Sequence, residues 1–164
     1  MLERIVSGGQ TGVDRAALDV AIALGLPCGG WCPQARRAED GPIVPRYPLR
    51  ETPSAGYLQR TEWNVRDSDA TLIVACGPLS GGTRSTFAAA RDMGKAVFAL
   101  DLDDGIDENA FLAWIANNNV GVLNVAGPRE SQCPGIYAEA KVVLFALFQP
   151  LVKEVELKRC LTQH

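Results

Sequence analysis

The segment Ser7-Gly8-Gly9-Gln10-Thr11-Gly12-Val13-Asp14-Arg15 sets three glycines among two hydroxyls and an amide, just before a run with helical spacing. A helix start offers free N–H groups and a positive dipole end, and glycines let an anion approach the backbone closely. Gly8, Gly9, Gln10, Thr11 and Gly12 are therefore candidate anion-binding residues. The spacing differs from G-x-G-x-x-G and the Walker lysine is absent, so neither common nucleotide fingerprint is present. A tight turn without a ligand would use the same residues. Asp14 would repel a phosphate that it faced; helix cap, ribose-hydroxyl acceptor, cation ligand and acid-base residue all stay open for it.

A second segment, Gly77-Pro78-Leu79-Ser80-Gly81-Gly82-Thr83-Arg84-Ser85-Thr86, repeats the combination of glycines and hydroxyls. Gly81 and Gly82 can present amides to a phosphate and Thr83 a hydroxyl, while helix capping by Ser80 or Thr83 is the plainer role. A third, Trp31 to Gly41, holds Arg36 and Arg37, which suit a bidentate phosphate clamp, and Glu39 and Asp40, which suit acid, base or cation-ligand roles. Arg60, Thr61 and Asn64 fall at i, i+1 and i+4 of a short helix and can share a face. Asp67 and Asp69 read as turn formers. Arg129, in Gly127-Pro128-Arg129-Glu130-Ser131, either reaches the ligand or pairs with Glu130.

The single histidine is His164, so a Ser-His-Asp or Cys-His site has no base, and the histidine-cysteine zinc deaminase signature is absent. Cys28 and Cys32 alone do not make a zinc site, which needs four ligands, and no metal site is expected. With Cys76, Cys133 and Cys160 they total five, an odd number at irregular spacing that predicts free thiols. A net charge of -3 without a basic run gives nucleic acid no footprint. No apolar run reaches signal or membrane-span length, so a cytoplasmic protein without membrane contact is expected.

The elements that must position these groups follow from periodicity. A strand is predicted over Glu3 to Ser7 and a helix over Asp14 to Leu24, followed by a long connection from Leu26 to Arg60 that carries most of the prolines. A short helix over Thr61 to Ser68 leads to Ala70-Thr71-Leu72-Ile73-Val74-Ala75, whose continuous apolar run suits a strand buried on both faces. A helix from Thr83 to Met93 and a strand from Ala96 to Leu100 complete a parallel crossover. Then come a helix over Glu108 to Asn117, a strand over Val120 to Val125, a loop from Ala126 to Pro134, and a helix from Gly135 to about Leu157. Pro150 is expected to kink or divide that helix, and the residues up to His164 to fray. The 164 residues, 47% of them hydrophobic, suit one α/β domain spanning 1–164, three-layered and Rossmann-like, with a mostly parallel central sheet.

Taken together, these motifs resemble the "Putative molybdenum carrier" family of Rossmann-like proteins, related to a nucleotide-binding superfamily that includes the LONELY GUY phosphoribohydrolases. The likeness runs from Arg4 to Phe148 and rests on Ser7 to Asp14, Gly29 to Pro33 with Arg36 to Gly41, Arg60-Thr61 with Asn64, Asp67 to Ile73, Gly81-Gly82-Thr83 and Gly127 to Ser131. It implies a carrier for a phosphorylated pterin, the molybdenum cofactor (molybdopterin), or for a nucleotide-like ligand, in a homo-oligomer. The alternative is a nucleotide-processing hydrolase or transferase that uses Asp14, Glu39 or Asp40. The phosphoribohydrolase relatives place a glutamate just after a longer glycine-rich motif, where Gly81 to Thr86 has threonine. That departure weakens an N-glycosidase assignment.

Overall fold

The structure is a computed structural model that describes the backbone of residues 1–162 and the side chains of residues 1–152. Strand β1 (Arg4–Val6) leads into helix α1 (Val13–Ala23), which buries Val13, Ala16, Ala17, Val20 and Ala21 at helical spacing. Five two-residue strands follow: β2 (Cys28–Gly29), β3 (Trp31–Cys32), β4 (Arg37–Ala38), β5 (Gly41–Pro42) and β6 (Arg50–Glu51). Helix α2 (Tyr57–Arg66), strand β7 (Ala70–Ala75), helix α3 (Gly81–Asp92) and strand β8 (Ala96–Asp101) come next. Helix α4 (Glu108–Asn117), strand β9 (Val122–Ala126) and the long helix α5 (Ile136–Thr162) end the chain.

The central sheet has the order β2-β1-β9-β7-β8, and every pairing in it is parallel. All five carboxyl ends thus lie at one edge. The chain moves outward from β1 to β2 on one side and from β7 to β8 on the other, then returns to place β9 between them. Right-handed crossovers in opposite directions put α1 and α3 on opposite faces. Accordingly α1 and α4 pack on α5, and α2 packs on α3. All six residues of β7 are buried, as a strand paired on both sides and covered on both faces requires. The fold is α/β and Rossmann-like, with the crevice of the strand-order reversal between the loops after β1 and β7. Residues 127–135, the loop after β9, run through it.

Several boundaries differ from the sequence-based expectations. Helix α2 starts at Tyr57 rather than Thr61, and α3 at Gly81 rather than Thr83. Val120 lies in the turn that closes α4, its N–H bonded to the Ile115 carbonyl, and β9 starts at Val122. Helix α5 continues through Pro150, which leaves the Ala146 carbonyl without its intrahelical donor. Its buried face includes Ile136, Ala140, Val143, Leu144, Leu147 and Leu151. The Val155 and Cys160 side chains and the expected fraying at His164 lie outside the described residues. The long connection is ordered around its own small core of Leu18, Cys32, Ala38, Ile43, Tyr47 and Leu49.

Cys28 and Cys32 carry free thiols, but the expectation of free thiols fails at Cys76 and Cys133, which are paired as a disulfide with Cα atoms 7.0 Å apart. The pair joins the end of β7 to the 127–135 loop. A separation of 57 residues hides such a partnership from spacing arguments. Among the described residues, no helix is long and apolar enough to cross a membrane.

Gly127 shows how tightly the crevice is built, since a Cβ there would sit 2.4 Å from the Val74 carbonyl oxygen and 2.5 Å from Val13 Cγ2. Gly127→Ala should therefore cost about 1–3 kcal/mol in urea unfolding. At Gly82 a Cβ meets nothing within 4 Å, and Gly82→Ala should shift stability by less than about 1 kcal/mol.

Candidate functional site

The glycines after β1 let other segments sit on the backbone. A Cβ on Gly8 would lie 1.4 Å from Arg60 Nη1, one on Gly9 2.4 Å from Leu49 Cδ1, and one on Gly12 2.3 Å from the Pro128 carbonyl oxygen. Gly12 also has φ 78°, a conformation that side chains disfavour. Close protein packing accounts for Gly9 and Gly12, which are not open to a ligand. Gly8 is covered by the Arg60 guanidinium, which the ion pair with Asp14 holds in place. Among the described residues, no protein acceptor takes the Gly8 or Gly9 N–H.

All three carboxylates considered for catalysis have protein partners. Asp14 receives Arg60 Nη1 at 2.8 Å and the Gln10 N–H at 3.2 Å. Asp40 forms a two-pronged ion pair with Arg15, whose hydrogen bond is the main reason that its pKa is lowered. Glu39 accepts hydrogen bonds from the Thr11 hydroxyl and from the Ser131 N–H and hydroxyl. Burial alone would raise the Glu39 pKa, but the Ser131 and Thr11 bonds and the nearby Arg129 charge outweigh it, and the net shift is downward. Gln10 accepts the N–H groups of Thr11 and Glu39, at 3.1 and 2.9 Å, which leaves its buried Nε2 unpartnered. The Glu130 N–H donates to Thr11 Oγ1 at 3.2 Å. These bonds fasten the β4–β5 hairpin and the 127–135 loop onto the first glycine loop.

The start of α3 is arranged differently. Its N-cap, Ser80, makes no side-chain capping bond, and the first turn has no acidic residue. Gly81 and Gly82 are exposed and Thr83 is buried. This helix end opens on a small cavity of 50 Å³ lined by Gly77, Ser80, Thr83, Pro128 and Gln132. The two glycine loops do not form a single open cradle; each borders the 127–135 loop from its own side. A larger cleft of 410 Å³ flanks Thr11 and Arg15 on the α1 side. There burial, followed by the hydrogen bond to Asp19, pushes the Tyr137 phenol up to about 12.

The arginines separate into two kinds. Arg36 donates to the carbonyls of Ile43, Leu49, Val44 and Tyr47 at 2.7–3.2 Å, so it holds the long connection together and is removed from the candidate ligand set. Arg37 has one weak bond, 3.3 Å to the Ala55 carbonyl, and its guanidinium lies 5.1 Å from the Tyr57 ring centroid. Arg129 lies 4.6 Å from the same centroid. Asn64 also leaves the ligand set, because its amide exchanges two hydrogen bonds with the Trp31 backbone at 2.7 and 2.9 Å. Asp69, expected to form the turn at the end of the short helix, instead accepts the N–H groups of Gly121 and Val122 and so ties that turn to the start of β9. Tyr57 escaped the sequence reading, although Tyr57, Arg60, Thr61 and Asn64 after Gly56 have helical spacing. Among the described residues, no three His, Cys, Asp or Glu side chains gather as a metal site.

Every candidate loop lies within residues 5–148, the stretch matched by the circularly permutated YpsA SLOG family. The chain belongs to that family. Its SLOG fold is also that of a crystal structure described as "Putative molybdenum carrier protein" from Syntrophus aciditrophicus, 43% identical, with a TM-score of 0.85 over 89% of this chain and 94% of that one. None of the curated proteins matches this chain.

The lowered Glu39 pKa fixes a sign. Its stabilising contribution is present above the ordinary glutamate value of 4.5 and is lost as pH falls through the lower folded-state value. The stability difference between wild type and Glu39→Gln should thus be largest near neutral pH and vanish in acid. Urea unfolding at both pH values measures it.

Proposed function

We propose that this SLOG protein binds and carries a phosphorylated small molecule at the carboxyl edge of its sheet. The observation that carries this reading is the division of polar groups there. Asp14, Glu39 and Asp40 are engaged by Arg60, by Thr11 with Ser131, and by Arg15, whereas the donors at the start of α3 and on Arg37 and Arg129 are largely free. An edge rich in unengaged donors and poor in available acid-base groups suits retention of an anion better than hydrolysis or group transfer. Gly81, Gly82 and Thr83 would take one phosphate oxygen set through the helix end.

The structural relative's description speaks of molybdenum carriage, and the phosphate-bearing pterin of the molybdenum cofactor is one ligand of the proposed class. Cationic and N–H donors fit its phosphate. In this reading the protein holds the cargo by phosphate and ring, with the metal carried by the cofactor's own ligands. Nucleotide-like phosphates remain in the same class.

A thermal-shift screen of nucleotides, pterins, phosphate and molybdate tests the reading, because a ligand selective for the native state raises the midpoint. A phosphorylated compound should do so, and folded Gly82→Asp should abolish the shift by placing a carboxylate over the free α3 amides. A panel without any phosphorylated hit, or unchanged affinity in Gly82→Asp, would contradict it.

A further inference from the structure

Three guanidiniums from three separate segments surround one ring. Arg129 from the loop after β9, Arg37 from β4 and Arg60 from α2 lie 4.6, 5.1 and 5.9 Å from the Tyr57 centroid. Attraction to the ring lets each approach, but their mutual repulsion grows as they converge. The protein supplies little negative charge in return. Asp14 bonds Arg60, and Glu39, which senses the Arg129 charge, is held by Thr11 and Ser131. Among the described residues, Asp14 is the one carboxylate bonded to any of the three guanidiniums.

Each guanidinium carries five N–H donors. Among the described residues, the Arg129 guanidinium donates to no protein acceptor, the Arg37 guanidinium makes a single 3.3 Å bond, and Arg60 Nε is buried without a partner. Arg36, beside Arg37 in the chain, shows the opposite state, with its donors on four carbonyls. Tyr57 is also the first residue of α2, a helix whose N-cap lacks a side-chain bond and whose first turn lacks an acid. Its positive end therefore reinforces the cluster.

We propose that Tyr57 gathers Arg37, Arg60 and Arg129 into a receptor for a terminal phosphate dianion or diphosphate. The inference rests on the phospholigand reading above and narrows it to phosphate monoesters and diphosphates with a free end. A terminal phosphate offers three oxygens and nearly two charges to several forked donors, whereas a diester offers two oxygens and one charge. Arg37 and Arg129 are the direct binders. Tyr57 is a positioning residue, acting through its ring.

Titration calorimetry of the full chain with inorganic pyrophosphate, near pH 8, tests this directly. Wild type should bind pyrophosphate and discriminate against dimethyl phosphate. Arg37→Gln and Arg129→Gln, both at sites with few protein bonds, should each weaken binding about tenfold. Tyr57→Phe should bind like wild type, while Tyr57→Leu should lose about as much as an arginine variant. Pyrophosphate affinity within twofold of wild type in both arginine variants, equal binding by Tyr57→Phe and Tyr57→Leu, or equal affinity for dimethyl phosphate would overturn the proposal. No pyrophosphate binding by wild type would overturn it as well. A phosphorylated hit that depends on Gly82 but not on these arginines would sink the receptor and leave the broader phospholigand reading standing.

Discussion

The buried ion pair between Asp14 and Arg60 is where the two helical layers meet across the end of β1. Its side chains are 5% and 12% exposed, and the carboxylate also accepts the Gln10 N–H, so one group on α1 fixes both the first glycine loop and a residue of α2. The guanidinium can lie there only because Gly8 has no Cβ. Loss of either partner would strand a charge in a dry place, at a cost of about 3–5 kcal/mol. Asp14 is thereby a structural counter-ion, and the arrangement of Arg60 beside Tyr57 follows from it.

Around this pair the glycine-rich segment that looked like a phosphate loop becomes a packing surface. Leu49 and Ile43 close on Gly9, and the 127–135 loop closes on Gly12. The donors without protein partners lie instead at the margins of the loop, where α3 begins without a side-chain cap and where arginines converge on one ring, and the proposed function places the anion there.

The parallel sheet was legible from the apolar run Ala70 to Ala75 and from the glycine-rich turns that follow β1 and β7. The partners of charged groups were not. Arg36 and Arg37 are adjacent and identical in type, yet positive φ values at Ala35 and Arg36 turn the first guanidinium into the small core's carbonyls and leave the second at the surface. Residue type cannot reveal that difference. Likewise, Glu39 and Asp40 look like free acids until Thr11, Ser131 and Arg15 are brought beside them by contacts between residues distant in sequence. The start of α2 was hidden because prolines and glycines before Tyr57 read as continuing loop.

A crystal structure of the protein grown with pyrophosphate tests most directly where this edge holds an anion. Phosphate oxygens should lie within hydrogen-bond distance of the Arg129 and Arg37 guanidiniums, with the Asp14–Arg60 pair intact. Pyrophosphate found instead in the cleft of Leu112, Ile115 and Pro150 at the opposite end of the sheet, or bound by displacing Arg60 from Asp14, would contradict it.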